Sequence, residues 1–409
     1  MSIKVLHINT TNRGGAGIAA LRLHTALLNS GVKSAFISKG FTVNFNDKIV
    51  KDTTFLYKKP TILNRLIVRL FPSKRRKLIR TFGRIKTNIE SEIVSLPVSL
   101  YKLHNHPLVQ EADVINLHWI GDFIDYKSFF KKVSKPIVFT LHDMNPFKGI
   151  FHYNIDVNKN LNFKYWEKAM YNLKKESLKY VSNGAIVSPS QWLLDEALKV
   201  DIFSNFKKHT VIQNSIEIKP DKALATKESS RIDFGLLEGE NVILFISNAL
   251  EIERKGFKEA KQALENIREP ITLLTIGKGE IMIENPYVKV KSLGFIRDND
   301  KISAAYRAAD VLLLPSLEDN LPNTMLEAFA NGTPVISFKV GGMVEHIETR
   351  VNGMLVNEIN SEALKQTIIE FFNKKDSFDF KQIRTYADQK FSNISQASKY
   401  IMLYNQLLN

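Results

Sequence analysis

The sequence predicts an α/β protein made of two doubly wound domains. In both halves of the chain, short apolar runs typical of buried parallel strands alternate with amphipathic stretches of helical period. The length of 409 residues suits two domains rather than one. A polar and charged stretch over 218–240 suits a linker between them. We therefore predict one domain over 1–215, a second over 216–389, and a final amphipathic helix over about 390–409.

The composition indicates an ordinary globular protein, with 44% hydrophobic and 24% charged residues. The chain has no cysteine, which excludes disulfides, thiolate metal sites and a cysteine nucleophile and fits a reducing compartment. The N-terminal stretch lacks the apolar core of a signal peptide, and no apolar run approaches the ~18 residues of a transmembrane helix. These features predict a protein that stays in the cytoplasm.

The formal charge of +15 is concentrated in a basic block over 58–88. The block holds eleven lysines and arginines and no acid, with apolar residues at helical spacing over 62–71. A basic amphipathic helix is typical of a segment that docks on an anionic membrane surface, where each cation contributes on the order of 1 kcal/mol. The alternatives are a solvated charged loop or nucleic acid binding. Because no nucleic-acid-reading motif accompanies the block, we expect a membrane surface as its partner and no nucleic acid.

A glycine-rich turn follows the first predicted strand, Ile3–Asn9. Gly14 and Gly15 lie in this turn, ahead of an amphipathic helix that ends at Ser30. Glycines at this point let a ligand approach the backbone closely, although a tight turn explains them equally well. The spacing matches neither a dinucleotide-binding fingerprint nor a P-loop.

Two further strands of the first domain are each followed by a histidine. His118 and Trp119 come after the apolar run 113–117, and His142 comes after the run 136–141. The carboxyl ends of parallel strands are where α/β sheets bind ligands, so both imidazoles are site candidates. The alternative for each is a structural histidine, which is the commoner case.

The first residues of the predicted site in the second domain are two adjacent cations. Arg254 and Lys255 follow an apolar strand over 241–247 and precede a helix. Such a pair suits a diphosphate, because a guanidinium binds bidentately and an ammonium adds a point charge. Solvated surface charge is the alternative.

The stretch 311–332 combines a buried strand, an acidic turn and a helix that stops at a glycine. The helix begins near Asn323 and Thr324, where unpaired N–H groups and the helix dipole favour an anion. Seven residues separate Asp319 in the turn from Glu327 in the helix. A capping box of Thr324 with Glu327, and a turn role for Asp319, are the structural alternatives.

This acidic pair resembles the E-x7-E signature of retaining GT-B glycosyltransferases of family 4, of the type found in bacterial capsule, O-antigen and exopolysaccharide biosynthesis. The first position is Asp319 rather than glutamate, with Glu318 beside it. The resemblance extends from Gly14 to the end and is strongest over 241–357. It implies the GT-B fold, with two Rossmann-like domains facing across a cleft and the last helix packing back on the first domain.

The resemblance also implies a role for each candidate residue. The side chains of Arg254 and Lys255 would neutralise the leaving nucleoside diphosphate, and Glu327 would hold the ribose. Asp319 would bind hydroxyl groups of the transferred sugar, and His142 would steady that sugar from the first domain.

Backbone segments complete the implied donor site. The segment at Gly294 and Phe295 would lie near the base, and Gly341 and Gly342 would approach the sugar or its phosphate. The acceptor side would include His118 and Trp119.

The implied reaction is transfer, with retention, from a UDP- or GDP-sugar to a hydroxyl of a glycan, which we expect to be lipid-linked at the inner face of the cell membrane. We expect neither a metal nor another cofactor. The D-x-D sequence over 298–300 is typical of metal sites in GT-A enzymes, but it lies in a chain without GT-A organisation. The alternatives are a nucleotide-sugar 2-epimerase or a phosphorylase on the same fold, or a non-catalytic basic membrane- or nucleic-acid-binding protein.

Overall fold

The computed structural model describes residues 2–49, 73–221, 224–249 and 252–409. The chain divides into two compact units. Unit 1 comprises Met1–Asn214 together with Asn393–Asn409, and unit 2 comprises Ser215–Ser392. The divisions expected from sequence were at 215/216 and 389/390.

Unit 1 is built on one sheet, to which the described residues contribute seven strands in the order β3-β2-β1-β4-β5-β6-β7. All neighbours pair in parallel except β2 and β3. The short edge strand β3 was not predicted. The strands are β1 Lys4–Ile8, β2 Lys33–Ser38, β3 Phe41–Val43, β4 Val114–Leu117, β5 Ile137–Thr140, β6 Gly184–Ser188 and β7 Lys208–Val211.

Helices cover this sheet, and β4, β5 and β6 are consequently buried along their whole length. The described α-helices up to β7 are α1 Gly14–Asn29, α2 Lys74–Ile85, α3 Pro107–Glu111, α4 Tyr126–Lys132, α5 Asn154–Lys159, α6 Lys164–Leu178 and α7 Gln191–Leu198.

Helix α2 contains most of the described part of the basic block, and Lys86 follows it. Its apolar side packs into unit 1: Phe82 is 4% exposed and its ring lies 5.4 Å from that of Trp166. Arg75 is paired with Asp125 at 2.7 Å. The amphipathic segment predicted over 62–71 lies outside the described residues.

Unit 2 is built on a second sheet, whose described strands all pair in parallel in the order β10-β9-β8-β11-β12-β13. These strands are β8 Val242–Ala249, β9 Ile271–Lys278, β10 Val288–Ser292, β11 Val311–Leu314, β12 Val335–Phe338 and β13 Gly353–Val356. The described helices are α8 Lys227–Asp233, α9 Phe257–Glu265, α10 Asn299–Ala308, α11 Asn323–Ala330, α12 Ser361–Lys374 and α13 Phe380–Phe391.

The last helix, α14 Asn393–Leu408, belongs to unit 1. Tyr400 and Tyr404 are buried on it, and buried phenols need hydrogen-bond partners. The Tyr400 hydroxyl lies 3.0 Å from Thr140 Oγ1, and Asn116 donates to the Tyr404 hydroxyl at 2.9 Å. The helix is thus tied to β4 and β5.

The predicted α/β fold with two doubly wound sheets is confirmed. In each sheet the strand order reverses at one place, between β1 and β4 in unit 1 and between β8 and β11 in unit 2. Such reversals leave a crevice at the carboxyl ends of the strands where α/β proteins bind ligands. None of the helices in the described ranges is long and apolar enough to cross a bilayer.

Candidate functional site

Two predicted cations and one predicted carboxylate meet at the reversal point of unit 2. Arg254 and Lys255 follow β8, and Asp319 follows β11. Lys255 Nζ lies 2.6 Å from Asp319 Oδ2, and Arg254 Nη1 donates to the same oxygen at 3.2 Å. Arg254 also donates to the carbonyl oxygen of Glu318 at 2.8 Å. The structure therefore brings these four residues together.

Asp319 is ionised in this setting. Burial alone would raise the pKa of its carboxyl, but the charges of Lys255 and Arg254 outweigh burial and lower that pKa to about 2. The backbone N–H of Asn320 donates to Oδ1 at 3.0 Å. Since a carboxylate offers about four acceptor positions, roughly one remains for another donor.

Two glycines allow the loops of this site to touch. Gly256 has φ +68°, and a Cβ there would overlap the carbonyl oxygen of Pro315. Gly341 has φ +56°, and its Cβ would overlap the carbonyl oxygen of Asp319. The N–H of Gly342 lies 3.4 Å from that oxygen. The loops after β8, β11 and β12 are therefore in backbone contact.

Helix α11 starts two residues earlier than a capping box of Thr324 with Glu327 requires. Its N-cap is Pro322, so Asn323 and Thr324 occupy the first two helical positions. The alternative in which Thr324 caps the helix together with Glu327 is therefore wrong. Glu327 Oε2 instead accepts a hydrogen bond from the buried Tyr306 hydroxyl at 3.1 Å.

Gly294 and Phe295 follow β10, two strands away from β8. Gly294 has φ +65°, and its carbonyl oxygen accepts from the N–H of Gly277 at 3.0 Å. Phe295 is half exposed, with the Lys278 ammonium 5.7 Å from its ring centroid. The structure thus leaves this segment apart from the Arg254–Asp319 ion pair.

In unit 1 the predicted glycines form the start of α1, not a loop before it. Gly14 is the first residue of the helix and has φ +73°, and Gly15 follows it. A Cβ at Gly17 would lie 2.7 Å from the carbonyl oxygen of Thr11. The helix therefore begins directly against the backbone that leaves β1.

The two predicted histidines are hydrogen-bonded to each other, and a third extends the row. His118 Nδ1 lies 3.0 Å from His142 Nε2, and His118 Nε2 lies 2.9 Å from His7 Nδ1. Burial lowers the pKa of His142 to about 4, although the charge of Asp143 partly offsets this. Burial also lowers the pKa of both His7 and His118 well below the usual value.

Trp119 is held by a second polar group beside this row. Its indole N–H donates to Asp143 Oδ2 at 2.9 Å, and its ring stacks on His152 at 5.2 Å. His152 lies 2.6 Å from the same Asp143 oxygen and 2.9 Å from Ser95 Oγ. Ser95 and His152 are 0% exposed, so a substrate cannot reach the serine hydroxyl as a nucleophile. The serine, histidine and aspartate instead hold the indole ring in place.

Helix α6 fixes the loop that carries His142 and Asp143. The Glu167 carboxylate accepts backbone N–H groups of residues 149–151 at 2.5 to 3.3 Å. The buried Lys174 ammonium donates to the carbonyl oxygens of Asn145 and Lys148 at 2.5 and 2.9 Å. Burial lowers the pKa of Lys174 to about 7, although the negative charge of Glu167 acts to raise it.

The D-x-D sequence has a structural role here. Asp298 caps α10 by accepting the N–H groups of Asp300 and Lys301, and Asp300 pairs with Lys219. Across the described ranges, no three histidine or acidic side chains form a group that would hold a metal ion.

Sequence reasoning missed several members of the unit 1 network, namely His7, Ser95 and His152. For His7 a signal existed, because it is a polar residue inside an otherwise apolar strand. Ser95 and His152 lie in segments without a periodic pattern, and the sequence held no signal for them.

The fold is the GT-B fold, which the following solved structures share. The chain superposes on sucrose-phosphate synthase from Thermosynechococcus elongatus with a TM-score of 0.67 at 16% identity, covering 99% of both chains. It superposes on Anabaena HepE in complex with UDP-glucose with a TM-score of 0.64 at 17% identity, covering 99% of this chain and 100% of that one. The likeness establishes the fold.

Part of the unit 2 sequence also matches a known family. Residues 240–374 match the family described as glycosyl transferases group 1. An uncharacterized glycosyltransferase of Methanocaldococcus jannaschii is 30% identical over 188 residues, which are 42% of this chain and 47% of that protein. An uncharacterized protein in the cps region of Klebsiella pneumoniae is 24% identical over 79% of this chain and 86% of its own length. The chain spans less than half the length of the first curated relatives that it matches.

Proposed function

We propose that this protein is a retaining glycosyltransferase of family 4, which moves a sugar from a nucleoside diphosphate donor to a hydroxyl group of a glycan. The observation that carries the proposal is the meeting of Arg254, Lys255 and Asp319 at the reversal point of the unit 2 sheet. The match of 240–374 to glycosyl transferases group 1 supports it.

In this reaction the bond between the anomeric carbon and the diphosphate oxygen breaks, and a bond to the acceptor oxygen forms on the same face of the sugar. The departing phosphate oxygen takes the acceptor proton. Arg254 and Lys255, with the N–H groups at Asn323 and Thr324, stabilise the charge that grows on the diphosphate. This contact accelerates the reaction because it strengthens in the transition state.

The remaining residues position the two substrates. Asp319 uses its remaining acceptor position for a sugar hydroxyl, and Glu327, held by Tyr306, accepts from the ribose. Gly341 and Gly342 bring backbone N–H groups to the sugar or its phosphate. In unit 1, His142 steadies the transferred sugar.

Other segments of the two units receive the base and the acceptor. Gly294 and Phe295 lie near the base of the donor. The acceptor side includes His118 and Trp119, and the half-buried indole, braced by Asp143, offers a surface on which an acceptor sugar can stack.

We further propose that the donor is a UDP- or GDP-sugar and that neither a metal nor another cofactor takes part. One structural neighbour was determined with UDP-glucose, and one relative is encoded in a cps region. These likenesses support a lipid-linked cell-surface polysaccharide intermediate as the acceptor, at the cytoplasmic face of the membrane.

The basic block is proposed to hold the protein on that anionic surface, and nucleic acid is not its expected partner. Since the apolar side of α2 packs into unit 1, the contact of this helix with lipid is electrostatic. Its exposed cations are Lys74, Lys77, Arg80 and Arg84.

Nucleotide binding by two matched variants tests the proposed donor site. Lys255→Met removes a charge-assisted contact to the diphosphate, and we expect UDP or GDP to bind roughly 10- to 100-fold more weakly by calorimetry. Lys258→Met removes an exposed lysine three residues away and is expected to bind like the parent protein. Equal affinity of the Lys255→Met variant and the parent, or no nucleotide binding by the parent, would contradict the proposal.

Product analysis separates transfer from the other candidate functions. An epimerase consumes the donor without an acceptor, and a phosphorylase requires free phosphate. A non-catalytic membrane- or nucleic-acid-binding protein releases no nucleoside diphosphate from any donor. The proposed transferase releases it in step with formation of a glycosidic bond of unchanged anomeric configuration.

A further inference from the structure

Three imidazoles form one hydrogen-bonded row through the central strands of unit 1. His7 lies on β1, His118 follows β4 and His142 follows β5. The two nitrogen-to-nitrogen distances are 2.9 and 3.0 Å, and the neighbouring rings are tilted by 31° and 30°. The proposed transfer chemistry uses His142 and places His118 on the acceptor side, but it gives His7 no role and does not account for the contacts between the three rings.

The three residues lie progressively nearer the carboxyl edge of the sheet, from His7 through His118 to His142. His7 pairs in register with Asn116, so His118 stands two residues nearer that edge. Asn116 pairs with Val138, so His142 stands two residues further again. His7 and His118 are 0% and 1% exposed, whereas His142 is half-buried.

In such a row, the nitrogen that carries the proton in one neutral ring determines which nitrogen carries it in the next ring. A neutral imidazole has one N–H donor and one acceptor nitrogen, so each contact needs a donor on one side and an acceptor on the other. Only two arrangements of neutral rings satisfy both contacts. The protons lie either on Nδ1 of all three rings or on Nε2 of all three.

The buried end of the row distinguishes the two arrangements. His7 Nε2 is buried and has no hydrogen-bond partner among the described residues. With protons on Nε2, this atom would be a buried N–H without an acceptor, which folded proteins rarely tolerate. With protons on Nδ1, it carries a lone pair instead, and all N–H groups of His7 and His118 are used.

We infer that His7 and His118 are positioning residues that fix His142 as the neutral tautomer with its proton on Nδ1. In the proposed transfer reaction, on which this role rests, His142 then acts as a hydrogen-bond donor to an oxygen atom of the donor sugar and not as a base. A neutral ring also places no positive charge beside an oxocarbenium-like sugar. The row does not conduct protons, because its buried end, His7 Nε2, has no partner within the described part of the chain.

The charged neighbour of His142 does not reverse this assignment. Asp143 follows it in the chain, but the carboxylate is already bound by His152 and by the indole N–H of Trp119. The burial of the His142 ring outweighs the charge of Asp143, and the pKa of His142 stays at about 4.

Nitrogen NMR of the full-length protein tests the tautomer directly. In long-range ¹⁵N–¹H correlation spectra of ¹⁵N-histidine protein at pH 7, the His142 signals, assigned by their loss in His142→Gln, are expected to show a protonated Nδ1 and a bare Nε2. A proton on Nε2, or a doubly protonated ring, would overturn the inference. The measurement needs no substrate, so it is independent of the proposed function.

Paired variants test the positioning role. His118→Asn keeps an amide N–H near the position of Nδ1, so we expect it to preserve the His142 tautomer. His118→Leu has no such donor, so we expect a mixture of both His142 tautomers. His7→Asn and His7→Leu form a second pair if the buried leucine at 118 prevents folding. An unchanged tautomer in the folded leucine variant would refute the role.

Kinetics connect the tautomer to transfer. We expect kcat to fall at least 10-fold in His118→Leu and to be largely rescued in His118→Asn, with the KM for the donor unchanged in both. A parent protein with the expected tautomer but no transferase activity would refute the proposed function and leave the tautomer assignment standing. Equal kcat values in the two variants would refute the role of the tautomer in transfer.

Discussion

The Lys255 ammonium lies 2.6 Å from Asp319 Oδ2, an oxygen that Arg254 also contacts at 3.2 Å. One carboxylate thus holds together two cations that would otherwise repel each other. A diphosphate arriving at this point meets cations that are already in position, which lowers the entropic and reorganisation cost of binding it.

The first prediction concerns the charge of Asp319. Asp319→Asn keeps the shape of the side chain but removes the carboxylate charge that Lys255 and Arg254, the latter 6% exposed, both contact. We expect the free energy of unfolding of unit 2 to fall by about 3 kcal/mol in urea denaturation. Asp376→Asn, at an exposed position of the same unit, is expected to change it by less than about 0.5 kcal/mol. Equal stabilities of the two variants would mean that the ion pairs are not formed in solution.

The second prediction concerns the contact between the loops after β11 and β12. Gly341→Ala combines a left-handed backbone angle with an overlap against Asp319, so it must displace the 316–320 loop. We expect nucleotide binding, measured by calorimetry, to weaken at least 10-fold. Gly239→Ala has a similar backbone angle, φ +80°, but open space around the added methyl. Its expected cost is about 1 kcal/mol of stability with unchanged binding, and loss of binding in this control would contradict the explanation.

The third prediction concerns the loop that carries His142. Lys174→Met removes the buried ammonium that donates to the carbonyl oxygens of Asn145 and Lys148, so both acceptors lose a charge-assisted hydrogen bond. We expect unit 1 to lose about 3 kcal/mol of stability. Lys168→Met, at an exposed position of the same helix, should lose almost nothing. Denaturant titrations of both variants, followed by tryptophan fluorescence, compare them directly.

The fourth prediction concerns acid. His118 and His142 have lowered pKa values when folded, that of His142 about 4, against 6.5 when unfolded. Below pH 6.5 the unfolded chain therefore binds protons that the folded chain does not, and stability falls as the pH falls towards 4. Each such histidine contributes a slope of about 1.4 kcal/mol per pH unit. Unfolding free energies measured between pH 6.5 and 4.5 should show a slope smaller by about that amount in His118→Asn, and equal slopes in this variant and the parent protein would contradict the prediction.

The fifth prediction concerns the exposed cations of α2. Glutamine at Lys74, Lys77, Arg80 and Arg84 should weaken sedimentation with anionic phosphatidylglycerol vesicles at least 10-fold, because each cation contributes on the order of 1 kcal/mol. Neutral vesicles should bind neither protein. The matched control carries glutamine at four exposed lysines elsewhere in unit 1, namely Lys164, Lys168, Lys179 and Lys199. Equal loss in both variants would mean that net charge, rather than this helix, governs binding.

The central strands of both sheets could be predicted because a strand buried on both faces is apolar along its whole length. Arg254, Asp319 and His142 could then be predicted as site residues because they follow the carboxyl ends of these strands. The edge strand β3 was missed because three residues do not show a period. The start of α11 near Asn323 was predicted, and only the alternative of a Thr324–Glu327 capping box is wrong, because the structure places Pro322 at the N-cap.

The contacts within the site could not be read from sequence. Lys255 and Asp319 are 64 positions apart, and His7 and His118 are 111 apart. Strand order determines which carboxyl ends become neighbours, and no local pattern encodes that order. Ser95 and His152 follow no periodic pattern at all, so only the folded chain reveals their contact with each other.

The hydrogen bonds that link Tyr400 with β5 and Tyr404 with β4 have a consequence for the order of events during synthesis. The ribosome makes β4 and β5 early, but the helix that completes their polar contacts emerges only after all of unit 2. Unit 2 is continuous in the chain and can finish folding first. The unit that begins translation first is therefore the unit whose chain is completed last, and until then Thr140 and Asn116 lack the phenol hydroxyls that they contact in the finished protein.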